Sequence, residues 1–208
     1  MREAISPAER TIEDLNTGET LTFLETAEES GGARVVMQLT LAPGARVGLH
    51  SHPIVETFSL IEGELDFELD GRSVELGRRE AVVVPAGHLH GMHNRSSRPA
   101  VLKVVGTPGA EAEFGLRVKF LLSRDGYLPT PGGGRPKDPL LGMVVIDRGG
   151  LYFPPLPRPL FRVLIGALAA IGRGLGRERF LLSRYPEYRR YLEALGTLAP
   201  PSGGGRTR

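Results

Sequence analysis

Between Leu21 and Gly106 the chain is a succession of short apolar segments cut by turn residues, and this constrains its fold more than any other feature. Candidate strands are Leu21–Leu24, Arg34–Leu41, Val55–Ile61, Glu64–Leu69, Ser73–Leu76, Ala81–Val84, His88–His93 and Val101–Val105. Between them stand Gly31-Gly32, Pro43-Gly44, Glu62-Gly63, Asp70-Gly71 and Pro85-Ala86-Gly87. Leu65, Phe67 and Leu69 alternate with Asp66, Glu68 and Asp70, the period of a half-buried strand. Asp70-Gly71 then supplies the positive-φ pair of a tight hairpin. Eight short strands at this spacing predict a mainly β domain, a sandwich or a small barrel.

The character changes around Thr107-Pro108-Gly109. The expected organisation is an N-terminal arm over 1–19, a barrel over 20–108, a helical extension over 109–198 and a disordered tail over 199–208. Residues 110–124 are expected to form a helix behind Pro108, although Leu116, Val118, Phe120 and Leu122 alternate as a strand would. A Pro/Gly-rich loop from Leu128 to Pro139 precedes a short helix, Pro139 to Ile146. Pro154, Pro155, Pro157 and Pro159 lead into a helix over Leu160–Ile171, with Gly172, Gly174 and Gly176 expected to unwind its end. Pro186 opens a last helix with Tyr188, Tyr191, Leu192 and Leu195 on one face.

Hydrophobic residues at 40% and charged residues at 24% exclude a disordered chain and a multi-span membrane protein. With no cysteine, zinc ribbons, iron–sulfur clusters, disulfides and thiol catalysis are excluded. Met1 to Asp14 carries acids and no apolar run, unlike a signal peptide, and a cytoplasmic location is expected. Charge is divided: residues 1–108 hold 10 Lys/Arg against 16 Asp/Glu, and residues 109–208 hold 16 against 8.

All five histidines lie between residues 50 and 93. His50, His52 and Glu56 share the parity of one strand, which would aim three ligands at one point. His90, from a second strand, would add a fourth. Three imidazoles and a carboxylate suit a divalent transition metal: iron, manganese, nickel, cobalt, copper or zinc. In an octahedron such a set leaves two positions for water, oxygen or substrate.

The spacing of these residues resembles the cupin superfamily. Its first motif is met by Gly44, His50, His52, Glu56 and Gly63, and its second by Pro85, Gly87, His90 and Asn94. Arg79 stands where the second motif has its leading glycine. The resemblance implies a double-stranded β-helix (jelly-roll barrel), with the metal inside its mouth and Gly44, Gly63, Pro85 and Gly87 at turns. The tail, with Tyr185-Pro186-Glu187-Tyr188, looks like the helical extension of some bacterial single-cupin proteins of unassigned function.

His88 shares parity with His90 and is a candidate proton shuttle; His93 has the opposite parity. Met37, Leu39, Phe58, Phe67 and Met92 are candidates for the cavity lining or for core packing. No phosphate-binding glycine loop and no nucleic-acid motif is found. The apolar stretch Leu160 to Gly172 is 13 residues long and contains Arg162, short of the ~20 that span a bilayer. Its helix is expected on the barrel or on a second subunit, with contact to an anionic membrane surface as the less favoured reading.

The function expected is that of a metal-dependent enzyme acting on a small organic substrate, with dioxygenase-like oxidoreductase chemistry first. Its metal ligands would be His50, His52, Glu56 and His90, and its catalytic residues Glu56 and His88. The alternatives are a metal-assisted isomerase, decarboxylase or lyase, a non-enzymatic binding or sensing module, and a structural dimer. A homodimer is the expected assembly.

Overall fold

The computed structural model describes residues 10–14, 16–76, 80–129 and 134–199. Among these, ten strands form two antiparallel sheets. They are β1 (Thr11–Asp14), β2 (Glu19–Glu25), β3 (Val35–Leu41), β4 (Arg46–His50), β5 (Val55–Glu62), β6 (Asp66–Leu69), β7 (Arg72–Val74), β8 (Ala81–Val84), β9 (His90–His93) and β10 (Ala100–Thr107). The larger sheet runs β1-β2-β3-β10-β5-β8 and the smaller β4-β9-β6-β7. This is the expected jelly-roll barrel, and five helices follow it.

Alternation builds the core. Val35, Met37, Leu39 and Leu41 of β3 point inward, opposite Ala100, Leu102 and Val104 of β10. Met37, Leu39, Phe58, Phe67 and Met92 all belong to this one buried cluster, so they fill the barrel. Each large side chain buried there is worth about 1.5–3 kcal/mol.

Two strands escape the sequence pattern. β1 lies within the stretch expected as a loose arm; its Thr-Ile-Glu-Asp has no apolar alternation, and pairing with β2 holds it, Thr11 Oγ1 lying 3.1 Å from Thr22 Oγ1. β4 has only Val47 and Leu49 as apolar residues and is defined by β9 beside it. The rest of the expected arm, residues 1–9, lies outside the described residues, as do Arg79 and residues 200–208 of the expected tail.

The turns use their residues as expected. Asp70 (φ 49°) and Gly71 (φ 78°) close the β6–β7 hairpin. Gly63 (φ 86°) is required for space as well: a Cβ there would stand 2.5 Å from the carbonyl oxygen of Pro99. Asn94 is fully buried. Its amide donates to the carbonyls of Leu41, Ala42 and Arg98, and its Oδ1 accepts from the Ser96 main chain and hydroxyl. It ties the end of β3 to the turn that follows β9.

Helix α1 (Gly109–Arg124) is the seam between barrel and extension. Ala112, Leu116 and Phe120 pack on the barrel core, while Phe114, Val118 and Leu122 pack on a second core formed by the helices. Each face repeats every four residues, and the two sets interleave at a spacing of two. The strand-like alternation is therefore the mark of a helix with two apolar faces. The remaining helices are α2 (Pro139–Gly149), α3 (Arg158–Gly174), α4 (Arg177–Arg184) and α5 (Pro186–Ala194). Asp138 caps α2 by accepting from Leu140 N–H and also pairs with Arg177, which draws α4 to the start of α2. α4 follows where Gly174 and Gly176 were expected only to unwind α3. Gly172 does not unwind it: a Cβ there would meet Val144 Cγ2 at 3.0 Å, so its lack of side chain lets α3 close on α2.

Candidate metal centre

His50, His52, Glu56 and His90 come together at one end of the barrel, but not from one strand. His50 ends β4 in the smaller sheet, and Glu56 lies on β5 in the larger one. His52 sits in the segment that crosses between them. Side-chain parity holds only within a strand, so the crossover, not the shared parity, converges these groups. His90 opens β9 and is the register partner of His50.

The ligand nitrogens of His50, His52 and His90 lie within 4.8 Å of one another. Glu56 Oε2 stands 3.2 Å from His52 Nε2 and 3.3 Å from His90 Nε2. His90 is 1% exposed and rests on the Phe58 ring, 5.9 Å between centroids. Orientation is set by main-chain groups. His50 Nδ1–H donates to the Gly48 carbonyl at 2.8 Å, and His90 Nδ1–H to the His88 carbonyl at 3.1 Å. Their Nε2 atoms are therefore bare lone pairs. His52 Nδ1 accepts from Ile54 N–H at 3.3 Å, which leaves the proton on Nε2, facing Glu56.

This donor set fits a divalent cation. The His90 Nε2 lone pair and a carboxylate oxygen face each other at 3.3 Å, and two acceptors are reconciled there only by a proton or a cation. Burial, followed by the neighbouring His90 and His52, pushes His50 down to about 3, so it is a neutral donor. Burial acts to raise the Glu56 carboxyl, but the His52 and His90 imidazoles against it outweigh burial and hold Glu56 well below the ordinary carboxylate range. His50 and His90 offer bare nitrogens and Glu56 an anion, a set that suits a borderline transition ion, and His52 would join it once its Nε2 proton is displaced.

His88 does not join this group. It lies before β9 begins, so strand parity does not govern it, and its imidazole turns outward to Asp70 Oδ2 at 2.6 Å with 47% of the side chain exposed. Its contribution to the site is the main-chain carbonyl that orients His90. His93 pairs in register with Arg46 and Asp66 at the far end of β9.

The helical extension reaches the site, which sequence reasoning missed. Ser51 and Tyr152 exchange two main-chain hydrogen bonds of 2.9 Å. The Phe153 ring stacks on His50, 6.1 Å between centroids and 22° between planes. Arg158 donates to the Gly87 carbonyl and, at 3.3 Å, to Ser51 Oγ, with its guanidinium over the Tyr152 ring. Gly87 N–H in turn donates to the His52 carbonyl at 2.8 Å. A cleft of about 550 Å³ adjoins His52, between this loop pair and helices α2 and α3. Nothing local marks the extension's contacts, because Arg158 is 71 residues from Gly87 and 107 from Ser51. Only an aromatic pair, Tyr152-Phe153, ahead of the proline run could have drawn notice.

The fold is an antiparallel jelly roll that brings three histidines together, a site compatible with a divalent metal. Residues 37–106 match the cupin domain family, and a C-terminal helical region follows them. It is 34% identical over 84 residues to the tetracenomycin polyketide synthase protein TcmJ of Streptomyces glaucescens, covering 40% of this chain and 56% of that one. The chain thus spans little more than half the length of that curated relative. Among solved structures it is similar to the polyketide cyclase RemF from Streptomyces resistomycificus, 20% identical, with a TM-score of 0.44 over 51% of this chain and 79% of that one. It is also similar to a cupin-superfamily sugar phosphate isomerase from Silicibacter pomeroyi, 29% identical, TM-score 0.38, covering 43% and 59%.

Proposed function

We propose that this chain is a divalent-metal-dependent enzyme acting on a small, oxygen-bearing organic molecule. The observation that carries this reading is the convergence of three imidazole nitrogens within 4.8 Å, with the Glu56 carboxylate against two of them. His50, His52 and His90 would hold the metal, with Glu56 as a fourth ligand. When bound, the metal would supply Lewis acidity or a redox centre.

The chain's own residues do the rest. Gly48 and His88 carbonyls keep His50 and His90 in one tautomer. Phe153 covers a face of His50 and limits water at the mouth. Glu56, held as an anion, accepts a hydrogen bond at Oε2 from His52 Nε2–H and so orients that ring. Outward-facing His88 is given no proton-shuttle role.

Dioxygenase-like oxidation is the first reaction of this reading. A second reading is a non-redox isomerisation, decarboxylation or cyclisation, favoured by the likeness to a polyketide synthase protein. In both readings the protein is a cytoplasmic homodimer. Elemental analysis beside a His50→Ala/His90→Ala variant is the test. Stoichiometric metal that the variant loses supports the proposal. Turnover of poly-β-ketone and polyphenol compounds with and without oxygen then separates the two reactions. No metal after reconstitution overturns the enzyme reading and leaves a binding module.

A further inference from the structure

The cleft beside His52 has a wall that the metal site does not use. Arg158, Phe161, Arg162 and Ile165 of α3 recur at spacings of three and four residues, so they lie on one face of the helix. That face lines the cleft together with His52 from the loop after β4 and Ile146 and Leu151 from the α2 side. Phe161 and Ile165 are buried, and the Phe161 ring stands edge-on to Tyr152, 5.1 Å between centroids. The helix therefore presents two guanidinium groups and two apolar side chains to one cavity of about 550 Å³.

The charges of this lining do not balance. Its carboxylate, Asp147, is already held by Arg173 at 2.7 Å. Arg158 donates to two neutral groups, the Gly87 carbonyl and Ser51 Oγ. Asp70 feels the Arg158 charge, but its oxygens are hydrogen-bonded to His88 and to Leu89 N–H. Arg162 is exposed and, among the described residues, has no ion-pair partner. Its planar fork of N–H donors matches a carboxylate in shape and charge. A mainly apolar wall with one free guanidinium favours a carboxylate on an apolar body over a multiply charged phosphate.

We propose that this cleft binds a small organic carboxylate, its apolar or aromatic body against Phe161, Ile165 and Leu151 and its anion on the Arg162 guanidinium. The volume is within the range of small-molecule sites. With His52 in the wall, a molecule filling the cleft ends beside the candidate metal residues. As a substrate site this rests on the proposed metal-dependent reaction and narrows its substrate to an acid. As a binding site it stands on the cleft and its free arginine.

The test is isothermal titration of the full chain with 2-naphthoate and with its neutral analogue, 2-naphthamide. The acid is expected to bind about 10-fold more tightly than the amide, through the charge-assisted pair with Arg162. Arg162→Gln should remove that preference and leave amide binding unchanged, because the apolar wall is kept. Arg179→Gln, on α4 and outside the cleft lining, should retain the preference and so controls for net charge. His50→Ala/His90→Ala should retain it too. Absence of 2-naphthoate binding, equal affinity for acid and amide, or a preference that survives Arg162→Gln would overturn the proposal. So would an equal loss in Arg179→Gln, or loss of 2-naphthoate binding in His50→Ala/His90→Ala, since the acid would then be a metal ligand. Metal content tests the reaction separately: a metal-free chain that still prefers the acid keeps this site and loses that reaction.

Discussion

Ser51 and Tyr152 are joined by a reciprocal pair of main-chain hydrogen bonds, each 2.9 Å, at the peptide between His50 and His52. The loop that carries His50 and His52 is therefore stitched to the linker between α2 and α3, and Arg158 fastens it from the other side through Gly87 and Ser51. The extension is part of the scaffold of the site.

Loosening that scaffold should loosen the metal. Arg158→Gln removes the donors to Gly87 and Ser51, and Phe153→Ala removes the ring on His50. Each variant is expected to weaken metal affinity by about 10-fold, the lower end of outer-shell effects. Competition against a chromogenic chelator measures it; unchanged affinity in both variants would detach the extension from the site.

Gly63→Ala should destabilise the barrel strongly. The new methyl group would meet the Pro99 carbonyl oxygen at 2.5 Å and Ala100 Cα at 2.9 Å, both main-chain atoms, in a backbone with φ of 86°. A cost of about 2–4 kcal/mol is expected from overlap plus left-handed strain. Gly44→Ala is the control: its φ is 78°, but nothing lies within 4 Å of the added carbon, so the strain acts alone and the loss is smaller. Urea unfolding of the two variants checks the order.

Glu113 is the polar pin between α1 and the barrel. Its buried carboxylate accepts from Ala27 N–H at 2.6 Å and pairs with Arg117, whose guanidinium lies over the Phe23 ring. Glu113→Ala strands that buried N–H, with an expected cost of about 1–3 kcal/mol. Glu113→Gln, which can still accept from Ala27, should recover part of it. Equal losses in the two variants would contradict the assignment.

Acid should weaken the helical extension through Glu178. The hydrogen bonds from Arg148 lower its carboxyl below 4.5 against a smaller opposing effect of burial, and Tyr188 O–H adds a further donor. A carboxyl lowered on folding stabilises the fold above its unfolded value, and that contribution is lost as pH falls through the folded value. Asp125, lowered first by Arg124, acts in the same direction below about 3.8. Thermal melts between neutral pH and pH 3 should fall more steeply for the parent than for Glu178→Gln. Parallel curves would remove Glu178 from the account.

Much of the barrel was legible because its information is local. Period-2 alternation, Asp70-Gly71 and the glycine at position 63 each act within a few residues, and they place most strands and turns. The candidate metal residues were legible too, since His50, His52, Glu56 and His90 all stand at positions of the spaced motifs. What was misread required knowing where the chain goes next. β1 and β4 carry little pattern of their own and exist through β2 and β9. α1 mimicked a strand because two partners cover it from opposite sides.

The sequence by itself determined which residue types stand at which spacing, hence a jelly roll with His50, His52, Glu56 and His90 near its mouth. Only the tertiary structure decided that His50 and Glu56 reach the site from different sheets and that His88 faces outward to Asp70. It alone seats Tyr152, Phe153 and Arg158 against the metal loop and leaves one apolar face of α3 bare. The physical reason is that parity and periodicity act along a single element, whereas packing between elements depends on where the chain crosses from one sheet to the other and which surfaces remain uncovered.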